Sequence, residues 1–259
     1  MSTPRPAVRE AVAHLDAPFS VLDLDSAVAN AADMVRRANG TPIRLATKSV
    51  RIRRLIERLL TVDGIQGLLS YSLGEALWLV DEGLCEDGTD ILVAYPSTNK
   101  QDLHLLTCEE KNLRSITVMV DSVEHLDYID SVAPPAERGV IRVCIDVDAS
   151  LSFGPVHLGA RRSPVHTVEQ ARALAEAVSD RDGFQLVGIM AYEGQIAGTT
   201  DTSPAVAAVK RISARELAGR RAEVVRAVSA VDGELEFVNG GGTGSIESTA
   251  SEDVVTEIG

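Results

Sequence analysis

The 259-residue chain carries 38 acidic against 25 basic side chains, a net charge of −13, and is 45% apolar but only 3% aromatic. That charge excludes nucleic acid and anionic membrane surfaces as general partners, and no apolar run approaches the ~20 residues of a membrane span. The length suits one large α/β domain or two ordinary ones, and Val, Leu, Ile and Ala must fill a core that suits a parallel sheet covered by helices.

Residues 1–18 read as an arm broken by Pro4, Pro6 and Pro18. Phe19–Leu24 is predicted as a short strand, and Ser26–Arg37 as a helix stopped by Asn39-Gly40 and Pro42. Eight strand-like runs follow, at Ile43–Thr47, Gly67–Ser70, Ile91–Ala94, Ile116–Val120, Ile141–Val147, Leu186–Ala191, Glu236–Asn239 and Val254–Ile258. Segments of helical period alternate with them, among them VRIRRLIERLLTV, LGEALWLVDEG, TVEQARALAEAV and the stretch from Ala205 to Ala230. Eight βα units in this length predict a closed (β/α)8 barrel. No GxGxxG follows an early strand, which disfavours a nucleotide-binding open sheet. The eighth run reaches the C-terminus with no helix behind it, so the chain is expected to be part of a longer protein or a unit completed by a partner.

In such barrels the active site lies at the C-terminal ends of the strands. After the first run stands Lys48, flanked by Arg44, Arg51, Arg53 and Arg54, a setting expected to favour the neutral amine that a Schiff base needs. After the fifth comes DVDASLSFGPVHLGARRSP, where Arg161 and Arg162 offer a bidentate grip on a carboxylate or else form a solvated basic turn. After the sixth comes Tyr192, suited to stacking on a planar ligand, to moving a proton, or simply to packing. After the seventh comes NGGGTGS, Asn239 to Ser245. Its glycines leave amides unobstructed, Thr243 and Ser245 add hydroxyls, and such a turn cradles phosphate where it does not merely flex. His104, His125 and His166 fall on predicted helices as surface or packing residues, and Trp78 is expected in the core. Cys85, Cys108 and Cys144 have no metal or redox spacing and are expected to be buried thiols of a reducing cytoplasm. The N-terminus shows no apolar stretch of a secretory signal.

Taken together, RLATKSVR, DVDASL, HLGARRSP, MAYEGQIAG and FVNGGGTGS resemble, in this order, the alanine-racemase-like pyridoxal 5′-phosphate (PLP) enzymes of fold type III. The closest branch is that of the D-threonine aldolases and D-serine dehydratases, and closer still are bacterial amino acid deaminase/aldolase proteins. The resemblance runs from about Phe19 to Gly259. It implies a PLP-binding barrel over residues 19–259. It implies that Lys48 carries the cofactor and that Tyr192 lies beside its ring. It also assigns the phosphate to the loop of Asn239, Gly241, Gly242, Thr243, Gly244 and Ser245. The pattern after strand five departs from the family: His157 stands where an arginine is usual, so the carboxylate grip is left open among His157, Arg161 and Arg162. The resemblance further implies a lyase acting on small D- or hydroxy amino acids through a Lys48 Schiff base, by elimination, deamination or aldol cleavage, and the cysteines and N-terminus lead to an expectation of a cytoplasmic location. A racemase of the same fold and a non-catalytic PLP carrier are the alternatives. The resemblance implies that a second, β-rich domain, which is not expected within these residues, follows the barrel, so that no metal ligands are expected here and a divalent metal only in a longer chain. A homodimer is expected of the full-length protein.

Overall fold

The computed structural model describes residues 6–153, 156–197 and 204–259. Residues 1–5 of the expected arm, Gly154 and Pro155 in the segment after the fifth strand, and Gly198 of MAYEGQIAG lie outside them. The chain opens with α1 (Pro6–Ala11) and α2 (Leu24–Arg37). It continues through β1 (Ile43–Ala46), α3 (Thr47–Val50), α4 (Arg53–Leu60), β2 (Ile65–Ser70) and α5 (Leu73–Asp81). Next come β3 (Ile91–Val93), α6 (Lys100–Cys108), α7 (Glu110–Ser115), β4 (Ile116–Val120), α8 (Val123–Val132) and β5 (Ile141–Asp146). A small hairpin, β6 (Leu151–Phe153) and β7 (Val156–Leu158), precedes α9 (Val168–Ser179) and β8 (Phe184–Ala191). The last elements are α10 (Gly194–Ala197), α11 (Pro204–Asp232), β9 (Phe237–Gly240), α12 (Ile246–Thr249) and β10 (Glu257–Ile258).

Eight strands close a parallel barrel in the order β1-β10-β9-β8-β5-β4-β3-β2, each beside its chain neighbour, which is the (β/α)8 topology. Closure rests on Ile43 pairing with Ile258 and on β10 pairing with β9. Side chains alternate between two cores, as the period of a strand requires. Leu69, Leu92, Met119, Cys144, Met190 and Phe237 point inward as one buried cluster. Leu68, Ile91, Val118, Val143 and Ile189 face outward into the layer under the helices. Several helices start on a side-chain cap, including Asp23 for α2, Ser72 for α5, Asn99 for α6, Ser122 for α8 and a Thr167–Gln170 capping box for α9.

The end of the barrel where β3 begins is closed by charge. Arg44 is buried; its Nε and Nη2 reach Glu257 at 2.7 and 2.8 Å, its Nη1 reaches Asp90 at 2.9 Å, and its guanidinium lies over the Phe237 ring at 5.2 Å. A buried cation is tolerable only with such pairing.

Several expectations give way. Phe19–Leu24 is not a strand: β1 and β10 close the barrel and leave no edge for it, and Asp23 accepts from the Ser26 amide to start a helix at Leu24. Trp78 is 47% exposed, because α5 buries Leu73, Ala76, Leu79 and Val80 and turns Trp78 outward. Of the cysteines only Cys144 is buried; Cys85 is half-buried and Cys108 exposed. His166 precedes α9 rather than lying on a helix, and the segment after β5 contains a hairpin.

Candidate active site

The C-terminal ends of the barrel strands surround a cavity of about 170 Å3. Its lining includes Lys48 and Ser49 after β1, Tyr71 after β2, Tyr95 after β3, Arg162, and Tyr192 after β8. Gly242 and Thr243 after β9 line the same cavity. The amine and the glycine-rich turn therefore open onto one space.

Lys48 is exposed in α3, a single turn that begins directly at the end of β1. The arginines around it in sequence do not crowd its amine as one cluster. Arg44 is bound in the barrel by Glu257 and Asp90. Arg53 pairs with Glu57 and Glu82, and Arg54 lies 3.9 Å from Glu57. Arg51 donates to the Lys48 carbonyl at 3.0 Å and lies over the Tyr71 ring.

The segment after the hairpin folds back onto the end of β5. Ser163 Oγ donates to the Asp146 carbonyl at 2.6 Å and the Asp148 amide donates to Val165 O at 2.7 Å. That docking brings Arg162 over the cavity and leaves its neighbour Arg161 exposed outside the lining. Arg162 Nε donates to both Asp146 oxygens, at 3.2 and 3.1 Å, and Nη2 donates to the Ala94 carbonyl. Its guanidinium lies 4.5 Å over the Tyr95 ring and 6.0 Å from that of Tyr192. Burial raises the Asp146 carboxyl to about 6, against the lowering effect of Arg162 beside it. His157 sits on β7, its Nε2 3.1 Å from the Gly159 carbonyl, and does not line the cavity.

The glycine-rich turn divides into scaffold and lining. Asn239 is buried in β9, where its Nδ2 donates to Glu257 at 2.8 Å. Gly241 adopts φ +82° and its amide donates to Glu193 at 3.1 Å. Ser245 is buried, its hydroxyl 3.1 Å from Glu193. Gly242 and Thr243 face the cavity, with Gly244 exposed beside them. The amides of Gly242, Thr243 and Gly244 donate to no acceptor among the described residues. Arg37 on α2 braces this turn from outside: Nη2 donates to the Thr243 carbonyl at 3.2 Å while Nε binds Glu247 at 2.6 Å. A trans peptide sets its C=O and N–H in opposite directions, so that brace turns the Gly244 N–H away from Arg37.

Tyr71 and Tyr95 carry no motif in the sequence, although they follow β2 and β3 just as Lys48 follows β1. They meet edge to face with ring centres 5.6 Å apart. Asp146 and Glu193 carried no local signal, because their significance lies in distant partners. Among the described residues no group of three or more His, Cys, Asp or Glu side chains is placed to hold a metal ion, and no helix is long and apolar enough to cross a membrane.

A parallel (β/α)8 barrel with a lysine at the end of its first strand and a glycine-rich turn after its seventh defines the class. The chain belongs to the family of the alanine racemase N-terminal domain, which matches residues 22–232. It is 26% identical over 254 residues to a 3-hydroxy-D-aspartate aldolase of Paracoccus denitrificans (strain Pd 1222), covering 94% of this chain and 59% of that protein. It is 28% identical over 249 residues to a D-threonine aldolase of an Arthrobacter species, covering 95% and 60%. The crystal structure of D-threonine aldolase from Filomicrobium marinum superposes with a TM-score of 0.77 at 23% identity, covering 95% of this chain and 62% of that one. The chain thus spans about three fifths of the length of the curated relatives it matches.

Proposed function

We propose that residues 19–259 form the cofactor-holding barrel of a PLP enzyme that cleaves the Cα–Cβ bond of small β-hydroxy D-amino acids, with residues 1–18 as an arm outside it. The observation that carries this is the shared cavity, lined by Lys48, Tyr192, Arg162 and the turn at Gly242 and Thr243, whose amides, like that of Gly244 beside them, donate to no acceptor among the described residues. That donor set fits the cofactor: a primary amine for its aldehyde, an aromatic face for its ring, and backbone N–H groups for its phosphate. The related proteins are named for 3-hydroxy-D-aspartate and D-threonine, both β-hydroxy D-amino acids, which favours aldol cleavage over other fates of the same carbon.

In this reading Lys48 holds the cofactor, and the amides of Gly242, Thr243 and Gly244 take its phosphate. Gly241 and Ser245 shape the turn, and Tyr192 flanks the ring. Arg162 takes the substrate carboxylate; its Nε and Nη2 are already fixed by Asp146 and Ala94. His157 and Arg161 drop out of that role, since neither lines the cavity. The bound cofactor supplies an electron sink for the pair released when a bond at Cα breaks. The Lys48 amine, when not bound to the cofactor, would be a base in the lining able to accept the proton of the β-hydroxyl.

Incubating the chain with PLP is expected to give a visible absorbance band that Lys48→Ala abolishes. Adding D-threonine should then release glycine and acetaldehyde. No band with the wild-type chain removes the proposal; a keto acid or an inverted enantiomer in place of the aldehyde moves it to elimination or racemisation.

A further inference from the structure

Glu193 is the next residue after Tyr192, yet its side chain leaves the cavity and runs behind the glycine-rich turn, where it is 1% exposed. Four donors meet its two oxygens. Oε2 accepts from the Gly241 amide at 3.1 Å and from Arg221 Nη2 at 3.0 Å. Oε1 accepts from the hydroxyl of Ser245 at 3.1 Å and from that of Thr249. A carboxylate has about four acceptor sites, so this one is saturated.

Two of those donors belong to the turn itself, one to α12 behind it and one to α11. Arg221, fully buried, also donates to the Ala191 carbonyl at 2.9 Å and to Glu252. The glycines of the turn accommodate this assembly. A Cβ at Gly240 would stand 3.0 Å from Arg221 Nη2, and Gly241 takes the positive φ that presents its amide to Glu193. Of the three consecutive glycines only Gly242 is left to face the cavity.

We propose that Glu193 is the positioning residue that sets the anion-binding turn, tying it to the strand end that carries Tyr192. This rests on the cofactor reading above. The carboxylate touches no ligand. It fixes the turn so that the amides of Gly242, Thr243 and Gly244 converge, while Arg221 offsets a negative charge that would otherwise repel an anion from behind. The effect should therefore fall on the phosphate alone.

The test compares the affinities of PLP and of pyridoxal, which lacks the phosphate, for the whole chain and its variants. The wild type should bind PLP far more tightly than pyridoxal. Glu193→Ala is expected to lower PLP affinity about ten- to a hundredfold, the worth of one or two charge-assisted hydrogen bonds, and to leave pyridoxal affinity within about threefold. Glu193→Gln should keep most of the preference, because its carbonyl oxygen still accepts while the Ser245 and Thr249 hydroxyls turn to receive its amide. Thr249→Val, which removes one donor without changing charge, should lower the preference by about threefold and decides the matter if Glu193→Ala does not fold. If the carboxylate acted only through its charge, both Glu193 variants would bind PLP more tightly. A preference unchanged or raised in Glu193→Ala, or unchanged in Thr249→Val, overturns the assignment. A wild-type chain that does not prefer PLP to pyridoxal would instead undo the cofactor reading, leaving the turn without its ligand.

Discussion

At the scale of single residues, the arginine at the cavity shows how an ion pair decides which of two neighbours faces the cavity. Arg161 and Arg162 are alike in sequence, but Asp146, at the end of β5, holds only the second. The carboxyl of Asp146 titrates near 6, raised by burial, with Arg162 lowering it and Asp121 and Asp148 raising it further. Above that pH the pair is charged on both sides; below it the arginine loses its anchor. Arg162→Lys is expected to raise KM for the amino acid about ten- to a hundredfold, because an ammonium cannot hold Asp146 and the Ala94 carbonyl and still present a fixed donor to a carboxylate as the planar guanidinium does. In the wild type KM should rise as pH falls through about 6, and in Asp146→Asn that pH dependence should vanish. A steady-state pH series on both proteins checks this. The stability linkage runs the other way. A carboxyl raised from its ordinary 3.8 favours the folded state at low pH, and that contribution is lost as pH rises toward 6. A low-pH loss of affinity therefore cannot be this group unfolding the chain.

At the scale of elements, periodicity and capping made most of the barrel legible. The runs beginning at Ile91, Ile116 and Ile141 start where β3, β4 and β5 start, because buried parallel strands are short apolar blocks with sharp edges. The misses share a cause: each depended on a partner distant in sequence. Phe19–Leu24 has the composition of a strand but no neighbour to pair with. Trp78 has the character of core, but the face it occupies was settled by the other side of α5. The hairpin of β6 and β7, which holds His157 outside the cavity lining, lies in a stretch where the sequence predicts no strand. Glycine within a strand is a further tertiary signal. A Cβ at Gly188 would lie 2.4 Å from the Phe237 ring, which also carries the Arg44 guanidinium over its face. Gly188→Ala is expected to destabilise the barrel by about 1–3 kcal/mol, as overpacking does. Urea unfolding measures it, and no change would mean that the barrel interior yields more readily than this packing implies.

For the molecule as a whole, the rule that barrel chemistry gathers at the C-terminal ends of strands made much of the cavity's lining readable without coordinates. It points to Lys48, Tyr192 and the turn at Gly242, all of which line the cavity, and Tyr71 and Tyr95 obey it equally. What it does not supply is the division of labour inside the turn, where Asn239, Gly241 and Ser245 serve the scaffold and Gly242 and Thr243 the cavity. Glu257 holds Asn239, and Glu193, paired with Arg221, holds Gly241 and Ser245, contacts that only the closed fold creates. A net charge of −13 is compatible with the proposed anion site, since a few backbone amides suffice for one. The most direct measurement treats the chain with PLP, reduces the adduct with borohydride and maps the modified peptide by mass spectrometry. One modified lysine is expected, at position 48, protected by inorganic phosphate in competition. Modification spread over Lys100, Lys111 and Lys210, or insensitive to phosphate, would contradict a single lysine-and-phosphate cavity.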